Sequence, residues 1–469
     1  MRLTRKELLG GAAAGALGAA GIYELVDKLT DSPQRAELFE RPAEQHLLAG
    51  MKVVEHEGVE VIEPPLHHQV VTAKLRVEPR RRDLLEAQGT LERALGDLES
   101  RYAITPAGLA VTAAWGLPYF RRFVPALADG HLPIDRRASE SADRPTSALL
   151  GATRFPSDPG DTVLEDNDVV FLLRSDHRTN VADGARRLFE STAGMLELTS
   201  IRKGFQGGGF HGGPGLPKAM ATAAGIQGAE LIPDGAQLFL GFTSTQRHTQ
   251  GQSRIANFET LGLVDVREGY FRGGTHMHLS HLFENVEAWY LDFDFRERVD
   301  TTFRPRLEAR EGSQTLEQAP EDAVFQPDLE GDFRRFGTIG HSASIQPTSR
   351  LAMDIRGADG ELYRKGNAIP QRADFNTLDN PFFWTADPDR DRQGEQPEAG
   401  LHFISFNPSS DDFRRNRLAM DGFLPDGKRL PVPNRSRAQG LNSVLRTTHR
   451  QNFLVPPRRH RSFPLAELL

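Results

Sequence analysis

Between residues 67 and 196 the spacing of apolar side chains switches from two to three or four and back again, in an order that few folds accept. The run His68-Gln69-Val70-Val71-Thr72-Ala73-Lys74-Leu75-Arg76-Val77 has strand character. Residues 81–102 follow with Leu84, Leu85, Leu91, Leu95 and Leu98 at helical spacing, and residues 108–115 return to a strand. A short helix or turn over 118–127 and a polar loop lead to a strand at 168–174 and a helix at 180–196 that ends near Gly194. This β-α-β-β-α-β order predicts an antiparallel sheet with helices on one face, the ferredoxin-like plan.

Similar elements recur in the second half. Residues 288–295 alternate as a strand, and residues 400–406 form a strand that leads into a helix over 410–420, echoing the strand and helix of 168–196. The expected fold class is therefore α+β: two ferredoxin-like halves, 67–235 and 236–469, with antiparallel sheets and helices packed outside. Inserted loops are expected at 130–165, 204–235, 303–335 and 370–398. Residues 23–66 are polar, end near Pro64-Pro65, and read as a tether.

The 469-residue chain carries a net charge of -7, which argues against a dedicated nucleic-acid binder. Its mean hydropathy of -0.46 is that of a water-facing globular chain. It has no cysteine. That excludes disulfides, thiolate-ligated zinc or haem, iron–sulfur clusters and a cysteine nucleophile. At the start, Thr4-Arg5-Lys6-Glu7-Leu8-Leu9 precedes a small-residue run ending at Gly21. Residues 1–22 resemble a twin-arginine export signal with Lys6 in place of the second arginine; an Ala-rich helix is the other reading of the same residues. Export would place the protein in the periplasm, the cell envelope or outside the cell.

Two groups of residues carry chemistry. In the first, His341 stands after Gly340 and before small residues, and Arg350 and the run Tyr363-Arg364-Lys365-Gly366 follow within some twenty-five positions. In the second, Thr275-His276-Met277-His278-Leu279-Ser280-His281 would, as a strand, place His276 and His278 on one face. With a third donor such as His211, that pair could bind copper, zinc or non-haem iron. There is no Walker loop and no Gly-x-Ser-x-Gly elbow.

Read in order, several short runs resemble the dye-decolourising peroxidase family. They are Thr153-Arg154-Phe155-Pro156-Ser157-Asp158, Leu240-Gly241-Phe242, Arg272-Gly273-Gly274-Thr275, Gly340-His341 with Arg350, Tyr363-Arg364-Lys365-Gly366, and Gly400-Leu401-His402-Phe403-Ile404-Ser405-Phe406. The resemblance covers most of 67–469. It implies a dimeric α+β barrel-like architecture with haem b in the second half, and hydrogen peroxide and an organic reductant as partners. His341 would be the axial ligand of the haem iron, Arg364 the distal guanidinium, and Arg350, Gly273 and Thr275 cofactor contacts. From the charge no nucleic-acid partner is expected; a homo-oligomer and a membrane tether through the N-terminal segment stay open. One departure stands out: in Gly241-Phe242-Thr243-Ser244-Thr245, Ser244 occupies the place of the family's distal aspartate, and a hydroxyl has no useful basicity at neutral pH. Two other readings stay open: a non-catalytic haem carrier on the same fold, and a non-haem metal protein using His276, His278 and His281, histidines that could equally line the distal side of the haem pocket in place of the lost acid.

Overall fold

The computed structural model describes residues 22–30, 41–56, 59–209, 213–242, 264–307, 328–358, 360–378 and 397–469. Residues 1–21, which hold most of the run expected to be an export signal, and His211 and Ser244, lie outside the described residues.

The first half runs β1 (His67–Leu75), α1 (Arg81–Arg101), β2 (Ala110–Gly116), β3 (Val169–Ser175), α2 (Arg178–Ser191), β4 (Leu196–Phe205). Its strands pair antiparallel in the order β4-β1-β3-β2, the ferredoxin-like arrangement. The second half supplies β5 (Thr275–Glu284), α3 (Phe295–Thr302), α4 (His341–Ile345), β6 (Phe375–Thr377), β7 (Gly400–Asn407), α5 (Ser410–Met420) and β8 (Leu445–Val455). These strands pair as β6-β7-β5-β8, the same order read from the other edge.

The two sheets join at both edges. Phe453 of β8 faces Gly116 of β2, and Asn376 of β6 faces Phe205 of β4, so eight strands close into a ring. Side-chain alternation then sorts residues into two layers. Val70, Ala114, Leu172, Leu279, Phe375, Ile404 and Phe453 form one cluster inside the ring. Residues of opposite phase in the first half, such as Ala113, Trp115, Phe171 and Leu173, pack instead against Leu84, Leu91, Leu95 and Leu98 of α1 and Leu188 of α2. Each of those leucines contributes roughly 1.5–3 kcal/mol by burial.

Three expectations are corrected. Residues 288–295 are not a strand: Asn285 caps a helix from Val286 to Leu291, its Oδ1 accepting the Ala288 N–H at 3.0 Å. The apparent alternation there includes Trp289 on that helix and Phe293 in the turn after it, whose rings are buried together with centroids 5.4 Å apart. Nor is 23–66 a bare tether. Tyr23 and Val26 are buried against Phe205 and Met220, and Lys52–His56 pairs with Val59–Glu63. Finally, the loop expected at 370–398 contains β6, preceded by a two-residue strand, Gln371–Arg372, that pairs with β7. Among the described residues, no helix is long and apolar enough to cross a membrane.

Candidate active site

The outward face of the second half is not filled in the way that of the first half is. Ser280, Leu282 and Glu284 of β5, Leu401, Phe403 and Ser405 of β7, and Leu445 and Thr447 of β8 all point away from the ring interior. With Arg372 and Asp374 they form the floor of a cavity of about 190 Å³. Its roof comes from Thr302 of α3, His341 and Ile345 of α4, and Phe413, Arg417 and Met420 of α5, with Leu238, Leu240 and Phe242 at one side. The walls are mostly apolar, with a few convergent polar groups, as in small-molecule sites.

Close packing fixes His341. It is the first residue of α4, and Gly340 before it lies so near the end of α3 that an added Cβ would meet the Phe303 carbonyl oxygen at 2.2 Å. The Ala343 N–H donates to that same oxygen at 3.0 Å. From the other side Gly440, at φ 57°, lets its chain approach the His341 nitrogen; a Cβ there would stand 3.1 Å away. The imidazole has one buried nitrogen, Nδ1, with no hydrogen-bond partner. Burial, with smaller contributions from Arg372 and Arg417, lowers its pKa to about 4, so the ring is neutral at pH 7. A neutral imidazole can ligate a metal, and an orphaned buried nitrogen costs roughly 1–3 kcal/mol unless something pairs with it.

Three guanidinium groups line the cavity. Two belong to a buried ion cluster: Arg450 donates to Asp158 at 2.7 Å, and Arg417 stands 2.9 Å from Asp421 and donates to Ser157 Oγ at 2.6 Å. Both lie over the ring of Phe155. The run Thr153–Asp158 is thus the acidic and aromatic clamp that holds two cations at the cavity wall. The third, Arg372, faces Asp374 at 3.4 Å, and Asp374 also accepts the Ile404 N–H at 3.0 Å. Glu284 stands apart from these pairs. Its Oε2 is buried with no partner, and burial alone pushes its pKa up to about 8.

With this geometry in hand, comparison with known proteins adds a family. The model of DUF7405, a family of unknown function, matches residues 65–457. This chain belongs to that family. No curated protein matches it. Among solved structures it is similar to a dye-decolorizing peroxidase from Bacteroides thetaiotaomicron, at 13% identity and a TM-score of 0.48, covering 88% of this chain and 98% of that one. It is similar to DyPB from Rhodococcus jostii at 13% identity and a TM-score of 0.47, with 86% and 96% covered. A dye-decolorizing protein from V. cholerae matches at 14% identity and a TM-score of 0.46, with 86% and 97% covered.

In this DUF7405 member the residues singled out in the sequence fall into separate places. His341 is at the cavity. Arg364 is not: its side chain is 69% exposed and pairs with Asp354 at 2.8 Å on the surface, so the expectation that it faces His341 is corrected. Arg350 is also outside the cavity wall and donates to the Gly366 carbonyl at 2.7 Å. Thr275 is buried at the start of β5, donating to the Asn407 carbonyl at 3.1 Å, while Gly273, at φ 82°, sits in the turn before it; neither lines the cavity.

The three strand histidines do not converge. His278 is held by Asn452 at 2.7 Å and Ser280 at 2.6 Å and stacks on Phe413; His276 shares its face; His281 points the other way, into the ring beside His402. Among the described residues no group of three or more His, Asp or Glu side chains could hold a metal ion. Sequence reasoning missed Arg372, Asp374 and Glu284. The first two sit in the alternating stretch Gln371-Arg372-Ala373-Asp374-Phe375, and Glu284 is the last outward position of β5, two residues beyond Leu282.

Proposed function

We propose that this protein binds haem b in the cavity beneath α4, with His341 on the iron, and uses hydrogen peroxide to oxidise an organic reductant. The observation that carries the reading is His341 itself, a neutral imidazole with an orphaned buried nitrogen, fixed by backbone packing at the wall of an apolar cavity. The residues fit the group in kind. Leu240, Phe242, Leu401 and Phe403 offer apolar contact to a macrocycle, and Arg372, Arg417 and Arg450 offer positive charge to its propionates or to peroxide. Bound haem would supply the one-electron chemistry that no side chain here can perform. The chain's own part is to hold the iron through His341, to keep bulk water out with apolar walls, and to orient peroxide oxygen with a guanidinium that stays charged. Arg372 takes that last role in the proposal, in place of Arg364. Export by the twin-arginine route remains part of the proposal, resting on residues 4–21.

The test is a haem titration of purified haem-free protein, followed by Soret absorbance, for the wild type and His341→Ala. The wild type should take up one haem per chain and then consume peroxide with a dye as reductant. The variant, its fold checked by circular dichroism, should lose haem or show a different ligation spectrum. An unchanged spectrum in His341→Ala would refute the ligand assignment. Uptake of haem without any reaction with peroxide would favour the carrier reading.

A further inference from the structure

We propose that Glu284 is the proton donor of this cavity, the acid that delivers a proton to the departing oxygen of hydrogen peroxide. The inference rests on the peroxidase reading above and deepens it.

Position is the first argument. Ser280, Leu282 and Glu284 are alternate residues of β5, and all three share the cavity wall with His341. Glu284 reaches this place because β5 runs two residues past Leu282, to where its N–H pairs with the Ala399 carbonyl at 3.0 Å. The residue is 7% exposed and its Oε2 is buried with no hydrogen-bond partner among the described residues. A buried carboxyl group with a vacant oxygen beside a cavity is placed to exchange a proton with whatever enters.

Its surroundings are the second argument. The cations of the cavity are engaged elsewhere: Arg372 with Asp374, Arg417 with Asp158 and Asp421, Arg450 with Asp158. Arg446, from the adjoining end of β8, pairs with Asp161 at 2.9 Å. The nearby Tyr290 donates its hydroxyl to the Phe239 carbonyl at 2.8 Å. Among the described residues no cation therefore forms an ion pair with Glu284. The other cavity carboxyl, Asp374, receives a backbone N–H and faces a guanidinium, so it is built to accept hydrogen bonds. Burial keeps Glu284 protonated near neutrality, with a pKa of about 8, close to where a general acid works best. Ser244, which stands where the resembled family has its acid, has no such proton to give.

The O–O bond of hydrogen peroxide breaks and takes up two electrons, drawn one at a time from the organic reductant. The departing oxygen, which already carries one hydrogen, takes the Glu284 proton and leaves as water. The other oxygen leaves as hydroxide, protonated by solvent, and solvent also returns the proton to the Glu284 carboxylate. The sum is one peroxide, two protons and two electrons to two waters.

The experiment compares wild type, Glu284→Gln and Glu284→Asp. Haem uptake is measured first, then the rate of reaction with peroxide from pH 6 to 9 by stopped flow. The Gln variant should take up haem as the wild type does, react roughly 100-fold or more slowly, and lose the wild-type break near pH 8; the Asp variant should recover part of the rate. Infrared difference spectra of haem-free protein between pH 6 and 10 should show a protonated carboxyl band that vanishes in Glu284→Gln. Normal haem uptake with an unaltered rate and pH profile in Glu284→Gln would overturn the assignment alone, as would absence of the infrared band. Failure of the wild type to take up haem would overturn the peroxidase reading and this assignment with it.

Discussion

Glu284→Gln exchanges a buried carboxyl for an amide of nearly the same shape, so it removes a titration while leaving the packing in place. In the unfolded chain the carboxyl titrates near 4.5, and in the folded chain near 8. A group raised in this way contributes stability in full below its unfolded pKa and loses it as pH rises through its folded pKa. Between the two values the native state holds a proton that the unfolded state has released, and each pH unit costs about 1.4 kcal/mol. Across the window from 4.5 to 8 the loss is on the order of 5 kcal/mol, a large share of the stability of an ordinary domain. Urea denaturation of haem-free wild type and variant at pH 5, 7 and 9 isolates this contribution, because every other titrating group is common to both proteins. The variant should gain on the wild type by about 1.4 kcal/mol for each unit of alkaline shift and level off above pH 8 or so. Stability curves that run parallel from pH 5 to 9 would show that Glu284 is already ionised in the folded protein, and the argument from its burial would fail.

Two further outcomes test the site's construction. Gly340→Ala should destabilise by about 1–3 kcal/mol in urea, since its Cβ would sit 2.2 Å from the Phe303 oxygen; a change under about 0.5 kcal/mol would mean that α4 is not wedged there. Arg364→Leu should leave haem uptake unchanged and move stability by less than about 1 kcal/mol, as expected of an exposed pair, while Arg372→Leu should slow the reaction with peroxide. The reverse pattern would return Arg364 to the site.

Local periodicity was legible in this sequence for several of the long elements, although β4 and β8, strands of 10 and 11 residues, were not read from it. Helix α1 over Arg81–Arg101 and α5 over Ser410–Met420 lie within a residue of their expected bounds, and the strands at 67–75 and 400–407 within one or two. The second half was harder, for a physical reason. Its first strand, β5, carries His276, His278 and His281 where strands usually carry apolar residues, because β5 meets the ring interior on one side and a partly polar cavity on the other. Alternation of hydrophobic with polar residues is therefore blurred there, and the clean alternation at 288–295 belongs to the end of one short helix, the turn after it and the first residue of α3. The candidate site was legible only in part. His341 follows a glycine whose need for space is visible in sequence, but a guanidinium's direction is not: Arg364 sits beyond a two-residue strand on the surface, and Arg372 on a strand whose odd and even sides can be told apart only once its pairing with β7 is known.

The cavity itself follows from how the two halves differ. In the first half the crossover from β1 to β2 is one helix of 21 residues, whose four buried leucines lie along the sheet and leave no space beneath. The matching crossover in the second half, from β5 to β6, is broken among the described residues into short helices, of which α4 has five residues. Short helices cannot cover a sheet face continuously, and each brings its own exposed end and first residue toward the strands. Here that first residue is His341. The outward positions of the sheet match the gap: where β3 has Val169, Phe171 and Leu173, its counterpart β7 has Leu401, Phe403 and Ser405, and β5 beside it adds Ser280, Leu282 and Glu284, side chains that line the space. A buried carboxyl and an orphaned imidazole would each lower stability in a plain core, and both lie on the half whose covering helix is interrupted. The same departure from regular packing thus accounts for the cavity, for the unpartnered Glu284 and His341 atoms in its wall, and for the chemistry that their pairing with an incoming ligand would allow.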